Sequence, residues 1–189
     1  MTDVGGEQPG IRRVRERTVW AGDRVRVHDD DVELGRSRRP GRHVRVEHVA
    51  VGRGVVLVAR WDARVALVRT YSYPLGTWLW GLPRGGSHGA EALVTAAAEL
   101  REETGLDAAR LEVVGEVLPD PGLLGARVAV VLADVVGPGS PEDEEVAELR
   151  WLDRAGLVGA VAAGEVADGL SLGALALAAA RGLLARGEP

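Results

Sequence analysis

The chain has 189 residues, enough for one sizeable domain or a domain with a small extension, and a formal net charge of −5. It contains neither Cys nor Lys, which excludes disulfides, thiolate metal sites, a Cys nucleophile, a P-loop lysine and a Schiff-base lysine. The acidic balance argues against non-specific nucleic-acid binding. No apolar run approaches the ~18 residues of a membrane span. The first residues lack an apolar signal core, so the expected location is cytoplasmic.

Residues 1–17 are polar and Arg-rich and read as a flexible leader. From Thr18 to Ala50 the stretches "RVRVHDD" and "HVRVEHVAV" alternate with period two, and "GRSRRPGR" between them reads as a turn. This span is expected to form a small N-terminal β subdomain over 18–50, followed by a main domain over 51–189. "GVVLVAR" and "RVALVRTYSY" predict strands joined by a turn at "WDA". "PLGTWLWGLPRGGSHG" reads as a loop rich in Gly, Pro and Trp.

A helix is predicted from about Ala90 to Thr104, closed by Gly105 at the usual C-terminal glycine position. "RLEVVGEVL", "ARVAVVLADVV" and "VAELRWLD" predict further strands, with "PDPGLLG" as a turn and "GPGSPEDEE" as an acidic loop. Helices near Ala155 to Ala163 and Leu170 to Arg186 finish the chain. Strands and helices mix without regular βαβ alternation, which fits an α+β fold.

Glu99, Glu102 and Glu103 stand at i, i+3 and i+4 and share one side of that helix. Two of them occupy its last turn, where the macrodipole is unfavourable to acids. A hard cation among them, Mg²⁺ or Mn²⁺, offsets both the repulsion and the dipole. The same spacing also describes a solvated acidic face, partly neutralised by Arg101.

"GLPRGGSHGAEALVTAAAELREETGL" resembles the Nudix hydrolase box, which runs Gly-x5-Glu-x7-Arg-Glu-(aliphatic)-x-Glu-Glu-x-Gly-(aliphatic). Glu99, Leu100, Glu102, Glu103, Gly105 and Leu106 match. Ala98 stands where the box has Arg and Ala90 where it has Glu, while Gly85 fits the first Gly with a loop one residue shorter. In the family that Glu and Arg are understood to brace the loop against the helix. "LVRTYSYPLGTWLWGLPRG" is similar to the wording "VRQYRYPVGRWLWELPAG" of the ADP-ribose pyrophosphatase branch, with Ser72 and Gly81 as departures. Pro121 stands sixteen residues after Gly105, where a proline marks ADP-sugar-type members.

The resemblance implies a Nudix-type α/β/α sandwich with a mixed sheet, and a homodimer that exchanges the N-terminal β subdomain. It implies Mg²⁺- or Mn²⁺-dependent hydrolysis of a nucleoside diphosphate sugar, ADP-ribose first, to AMP and ribose 5-phosphate. The alternative is a nucleotide-sugar sensor of weak activity, in keeping with Ala90 and Ala98. The implied metal ligands are Glu99, Glu103, Glu102 and the backbone carbonyl of Arg84. Glu142 and Glu144, in "SPEDEE", are the candidate proton acceptors, equally readable as a solvated turn. Tyr71, Trp78 and Trp80 are candidate stacking surfaces or packing residues, Arg69 a candidate phosphate contact or surface charge, and His88 a loop residue near a passing phosphate.

"GLSLG", Gly169 to Gly173, imitates a nucleophile elbow but lacks a preceding strand and a later His, so Ser171 is expected to be a helix N-cap. "GGSHG" lacks the Lys of a Walker loop, and the four His residues show no zinc spacing.

Overall fold

The computed structural model describes residues 10–49, 53–86 and 90–184. The chain divides into two compact units, Met1–Val49 with Asp120–Ala126, and Ala50–Pro119 with Arg127–Pro189.

The first unit is a four-stranded antiparallel sheet of β1 (Ile11–Arg15), β2 (Thr18–Ala21), β3 (Val25–Leu34) and β4 (Arg39–His48). β4 pairs along the whole of β3, while β1 and β2 share its other edge. β1 lies inside the segment expected to be a loose leader. It reads Ile-Arg-Arg-Val-Arg, and Ile11 to Arg13 find partners in Leu34 to Val32. The segment Asp120–Ala126, expected in the main domain, joins this unit, where the Val46 N–H donates to the Leu123 carbonyl at 2.9 Å. Alternate residues of β3, His28, Asp30 and Val32, are buried. Burial of the first two requires partners. Asp30 accepts from the Arg17 N–H at 3.0 Å and from Arg45 Nε at 2.8 Å, while His28 bonds Thr18 and Glu47.

The second unit holds a mixed sheet of seven strands. They are β5 (Gly54–Trp61), β6 (Arg64–Ser72), β7 (Thr77–Gly81), β8 (Arg84–Gly85), β9 (Ala108–Val117), β10 (Val128–Val135) and β11 (Val146–Leu152). The order is β11-β6-β5-β10-β9, with β10 parallel to β5 and the other pairs antiparallel. Among the described residues, helices α1 (Ala92–Thr104), α2 (Arg154–Ala162) and α3 (Gly169–Ala180) accompany the sheet.

The run "VVLVA" in β5 is buried on both faces, which explains why it is apolar throughout rather than alternating. Val55, Leu57 and Ala59 pack with Ala96 and Leu100 of α1. Val56 and Val58 pack with Leu157 and Ala160 of α2 and Ala174, Leu175 and Ala178 of α3. The sheet is thus sandwiched between α1 on one face and α2 with α3 on the other, as the resemblance implied.

The β5–β6 turn places both Asp62 and Ala63 at positive φ, 47° and 56°, the backbone of a tight hairpin turn that matches strand twist. Away from that turn the two strands part. They pair at Arg60↔Val65 and Trp61↔Arg64, and then β6 takes β7 while β5 takes β8. The stretch expected to be a loop therefore contains two short strands. Its Trp and Leu residues supply the pairing and its Gly and Pro residues end it, which is why composition alone reads as loop. This insertion brings Gly81 to Gly85 between the two central strands, beneath the end of α1.

Candidate active site

α1 buries Thr95, Ala96, Leu100 and Thr104, a stripe at helical spacing. Glu99 and Glu103 flank that stripe and are half-buried, while Glu102 is exposed. Gly105 stops the helix with φ 66°, and its N–H donates to the Arg101 carbonyl at 2.7 Å. The Glu102 carbonyl accepts from the N–H groups of Glu142, at 3.1 Å, and Asp143, at 2.9 Å. The acidic loop is thus fastened to the carbonyl end of the helix, where it satisfies the orphan acceptor of Glu102.

Both half-buried carboxylates meet the backbone of β8. Glu103 Oε2 accepts from the Arg84 N–H at 2.9 Å. The Glu99 carboxyl group lies against the α-carbon of Gly85, in the volume a β-carbon there would take. Burial pushes the Glu103 carboxyl from 4.5 up to about 7; Glu99 and Asp143 push the same way, against the Arg84 N–H and guanidinium. Glu103 is therefore short of positive charge, the condition a bound cation relieves. The donors are carboxylate oxygens and a nearby main-chain segment, a hard-oxygen set that suits Mg²⁺ or Mn²⁺.

Among the described residues, the group of three His or acidic side chains with ligand atoms within 4.8 Å of one another is Glu16, His28 and Asp30, in the first unit. A cation already serves that group. Arg45 reaches Asp30 through Nε and Glu16 through Nη2, at 2.8 and 2.6 Å. These bonds tie β3, β4 and the β1–β2 connection together as a structural network.

Beside Glu103 opens a cavity of about 200 Å³, lined by Thr70, Tyr71, Trp80, Gly81, Arg84, Glu103, Glu145 and Asp168 among others. Tyr71 and Trp80, singled out as stacking surfaces, both line it. Trp80 also packs on the core and carries the Arg150 guanidinium 4.2 Å above its ring. Trp78 stands edge-on to Tyr71, with ring centroids 5.5 Å apart. Arg69 is ion-paired to Glu148 and lies 5.7 Å over the Trp78 ring. It is not among the residues lining the cavity. Pro121 belongs to the first unit. His88 lies outside the described residues.

Of the acidic loop, Glu145 lines the cavity, while Glu142 and Glu144 do not. Asp143 Oδ1 accepts the Glu145 N–H at 2.8 Å, a local turn that fixes where the following residue emerges. Sequence spacing cannot choose among adjacent acids in a loop, because the backbone turn decides which one borders the cavity.

Asp168 and Ser171 were not assigned to the site by sequence. Asp168 is the N-cap of α3 and accepts the Ser171 N–H at 3.0 Å. Ser171 is therefore inside the helix rather than its cap. Its fully buried Oγ accepts the Leu82 N–H at 2.8 Å. Arg84 Nη1 donates to Asp168 Oδ1 at 2.6 Å. The signal for the cap was present in "ADGLSLG", an Asp three residues before a Ser at the start of an apolar run.

The NUDIX domain model matches residues 48–169. The chain is 30% identical over 143 residues to the ADP-ribose pyrophosphatase of Mycobacterium tuberculosis (strain ATCC 25618 / H37Rv), covering 71% of this chain and 69% of that one. It is 27% identical over 124 residues to the ADP-ribose pyrophosphatase of Bacillus subtilis (strain 168), covering 65% of each. A solved structure described as an ADP compounds hydrolase superposes with a TM-score of 0.73 at 20% identity, over 92% of this chain and 97% of that one, a likeness of fold. Among the described residues no helix is long and apolar enough to cross a membrane. Taken with the box residues on α1 and their seat against β8, the matches establish that the chain belongs to the Nudix hydrolase family.

Proposed function

We propose that this chain hydrolyses the pyrophosphate bond of a nucleoside diphosphate sugar, with ADP-ribose as the favoured substrate and AMP and ribose 5-phosphate as products. The observation that carries this reading is the convergence of the Glu99 and Glu103 carboxyl groups on the Arg84–Gly85 backbone beside a polar cavity. The names of the two bacterial relatives support the choice of substrate.

In this reading Glu99 and Glu103 hold Mg²⁺ or Mn²⁺, with the Arg84 carbonyl and Glu102 assisting. When bound, the ion neutralises diphosphate charge and acidifies a water. Glu145, in the same cavity as Glu103, takes the proton of the attacking water as its oxygen bonds to phosphorus and the bridging P–O bond breaks. Glu142 and Glu144 are the alternatives in the same loop. Tyr71 offers its ring to the base, and Trp80, one face of which carries Arg150, lines the same cavity beside it. Arg69, already paired, has a smaller part in phosphate binding.

The test is release of AMP from ADP-ribose with Mg²⁺ or Mn²⁺, followed by chromatography. Glu103→Gln is expected to cut turnover by roughly 10²–10³-fold with an unchanged melting profile, the scale of losing a preorganised electrostatic group. Equal turnover in both proteins refutes the role given to Glu103. A second reading, a sensor that binds without hydrolysis, is favoured by Ala90 and Ala98 in place of the box Glu and Arg. It predicts ADP-ribose binding with no AMP formed.

We also propose a homodimer formed through the first unit, supported by Ile11, Val14, Val19, Trp20 and Val44, all exposed on one small sheet. Light scattering is expected to give twice the chain mass; a monomer at micromolar concentration removes this reading.

A further inference from the structure

Arg84 occupies an awkward place for a cation. Its main-chain N–H bonds Glu103 Oε2, so its guanidinium starts within a few bonds of the carboxylate read as a metal ligand. Arg84, Glu103, Glu145 and Asp168 line the same cavity. Left to itself, the guanidinium has two further carboxylates within its cavity.

It is held by Asp168 instead. Arg84 Nη1 donates to Asp168 Oδ1 at 2.6 Å, and that oxygen also accepts the Ser171 N–H at the first turn of α3. The Asp168 side chain is 14% exposed, and it sits at the helix end whose dipole favours an anion. Gly81 makes the room: a β-carbon there would lie 2.9 Å from Asp168 Oδ2 and 3.0 Å from Ser171 Oγ. The seat is thus built by three elements: β7, β8 and α3.

We infer that Asp168 is a positioning residue that holds the Arg84 guanidinium in its own ion pair and keeps it from pairing with Glu103, leaving the Glu103 oxygens available to a divalent cation. The inference rests on the reading of Glu99 and Glu103 as the cation site. Without the Asp168 charge, the guanidinium turns to Glu103 and competes with the metal for it.

Direct Mn²⁺ binding to the full chain without substrate, followed by the electron paramagnetic resonance signal of free Mn²⁺, tests this. Asp168→Asn keeps an N-cap acceptor, so α3 and the melting temperature are expected to hold. Mn²⁺ affinity is expected to fall roughly tenfold, the scale of one charge-assisted hydrogen bond redirected to Glu103. Adding Arg84→Gln to Asp168→Asn is expected to restore binding, an outcome that loss of a merely structural contact does not produce. Arg84→Gln alone is expected to bind Mn²⁺ at least as tightly as the wild type, and this holds the test open even if Asp168→Asn unfolds. Wild-type affinity in Asp168→Asn, no recovery in the double variant, or weaker binding in Arg84→Gln overturns the inference while the cation site stands. A wild-type chain that binds no Mn²⁺ removes the cation site and the inference together.

Discussion

The carboxyl group of Glu99 lies against the α-carbon of Gly85, in space that a β-carbon at position 85 would claim. One residue comes from the helix and the other from a two-residue strand between β5 and β6. Their contact brings the box helix and the box loop together at one point. It is a demand on sequence of the simplest kind, since only a residue without a side chain permits it.

Gly85→Ala is therefore expected to damage function more than stability. The group displaced is the flexible end of Glu99, so the fold adjusts at a cost below about 1 kcal/mol. The carboxylate, moved by about an ångström or more, loses its place, and metal-dependent turnover is expected to fall roughly 10²-fold. Thermal melting and AMP release on the same preparation check this. A large loss of stability with normal specific activity of the folded fraction is the contrary result.

Ser171→Ala is expected to act through a single backbone group. Ser171 Oγ is the acceptor for the buried Leu82 N–H. Its removal strands that donor, at about 1–3 kcal/mol. In a protein of this size each kcal/mol lowers the melting temperature by about 2–4 °C. Ser171→Thr, which keeps the hydroxyl, should cost less if the extra methyl is accommodated. Differential scanning calorimetry of the two variants decides whether the hydroxyl or the volume matters.

Asp30 predicts an acid limit for the first unit. Burial alone would raise its pKa, but the Arg17 N–H and the Arg45 guanidinium outweigh it, so the folded value lies below the ordinary 3.8. The unfolded chain then takes up the proton more readily as pH falls, and the Asp30 contribution is complete above pH 3.8 and lost below it. The melting temperatures of wild type and Asp30→Asn should differ by a constant amount between pH 5 and 8, and converge at lower pH. A gap that persists unchanged at pH 3 contradicts the assignment.

Local pattern carried much of this protein. Alternation in "RVRVHDD", the apolar runs of "GVVLVAR" and "ARVAVVLADVV", and the stop at Gly105 each express a rule acting over a few residues, and the elements formed where those rules placed them. Glu99 and Glu103 were legible for the same reason, because helical spacing alone puts them on one side. Helix α3 ends at Ala180, short of the expected Arg186.

Other features came from residues far apart in the chain. The Trp-rich stretch became strands only because β5 and β6 part and leave unpaired edges for it. Glu145 was set apart from Glu142 and Glu144 by a backbone turn, not by any difference in side chain. Asp168 stands 84 residues from Arg84, and no spacing rule joins them. Short-range periodicity specifies what each segment is, whereas the pairing of distant polar groups depends on burial, which exists only once the chain has closed on itself.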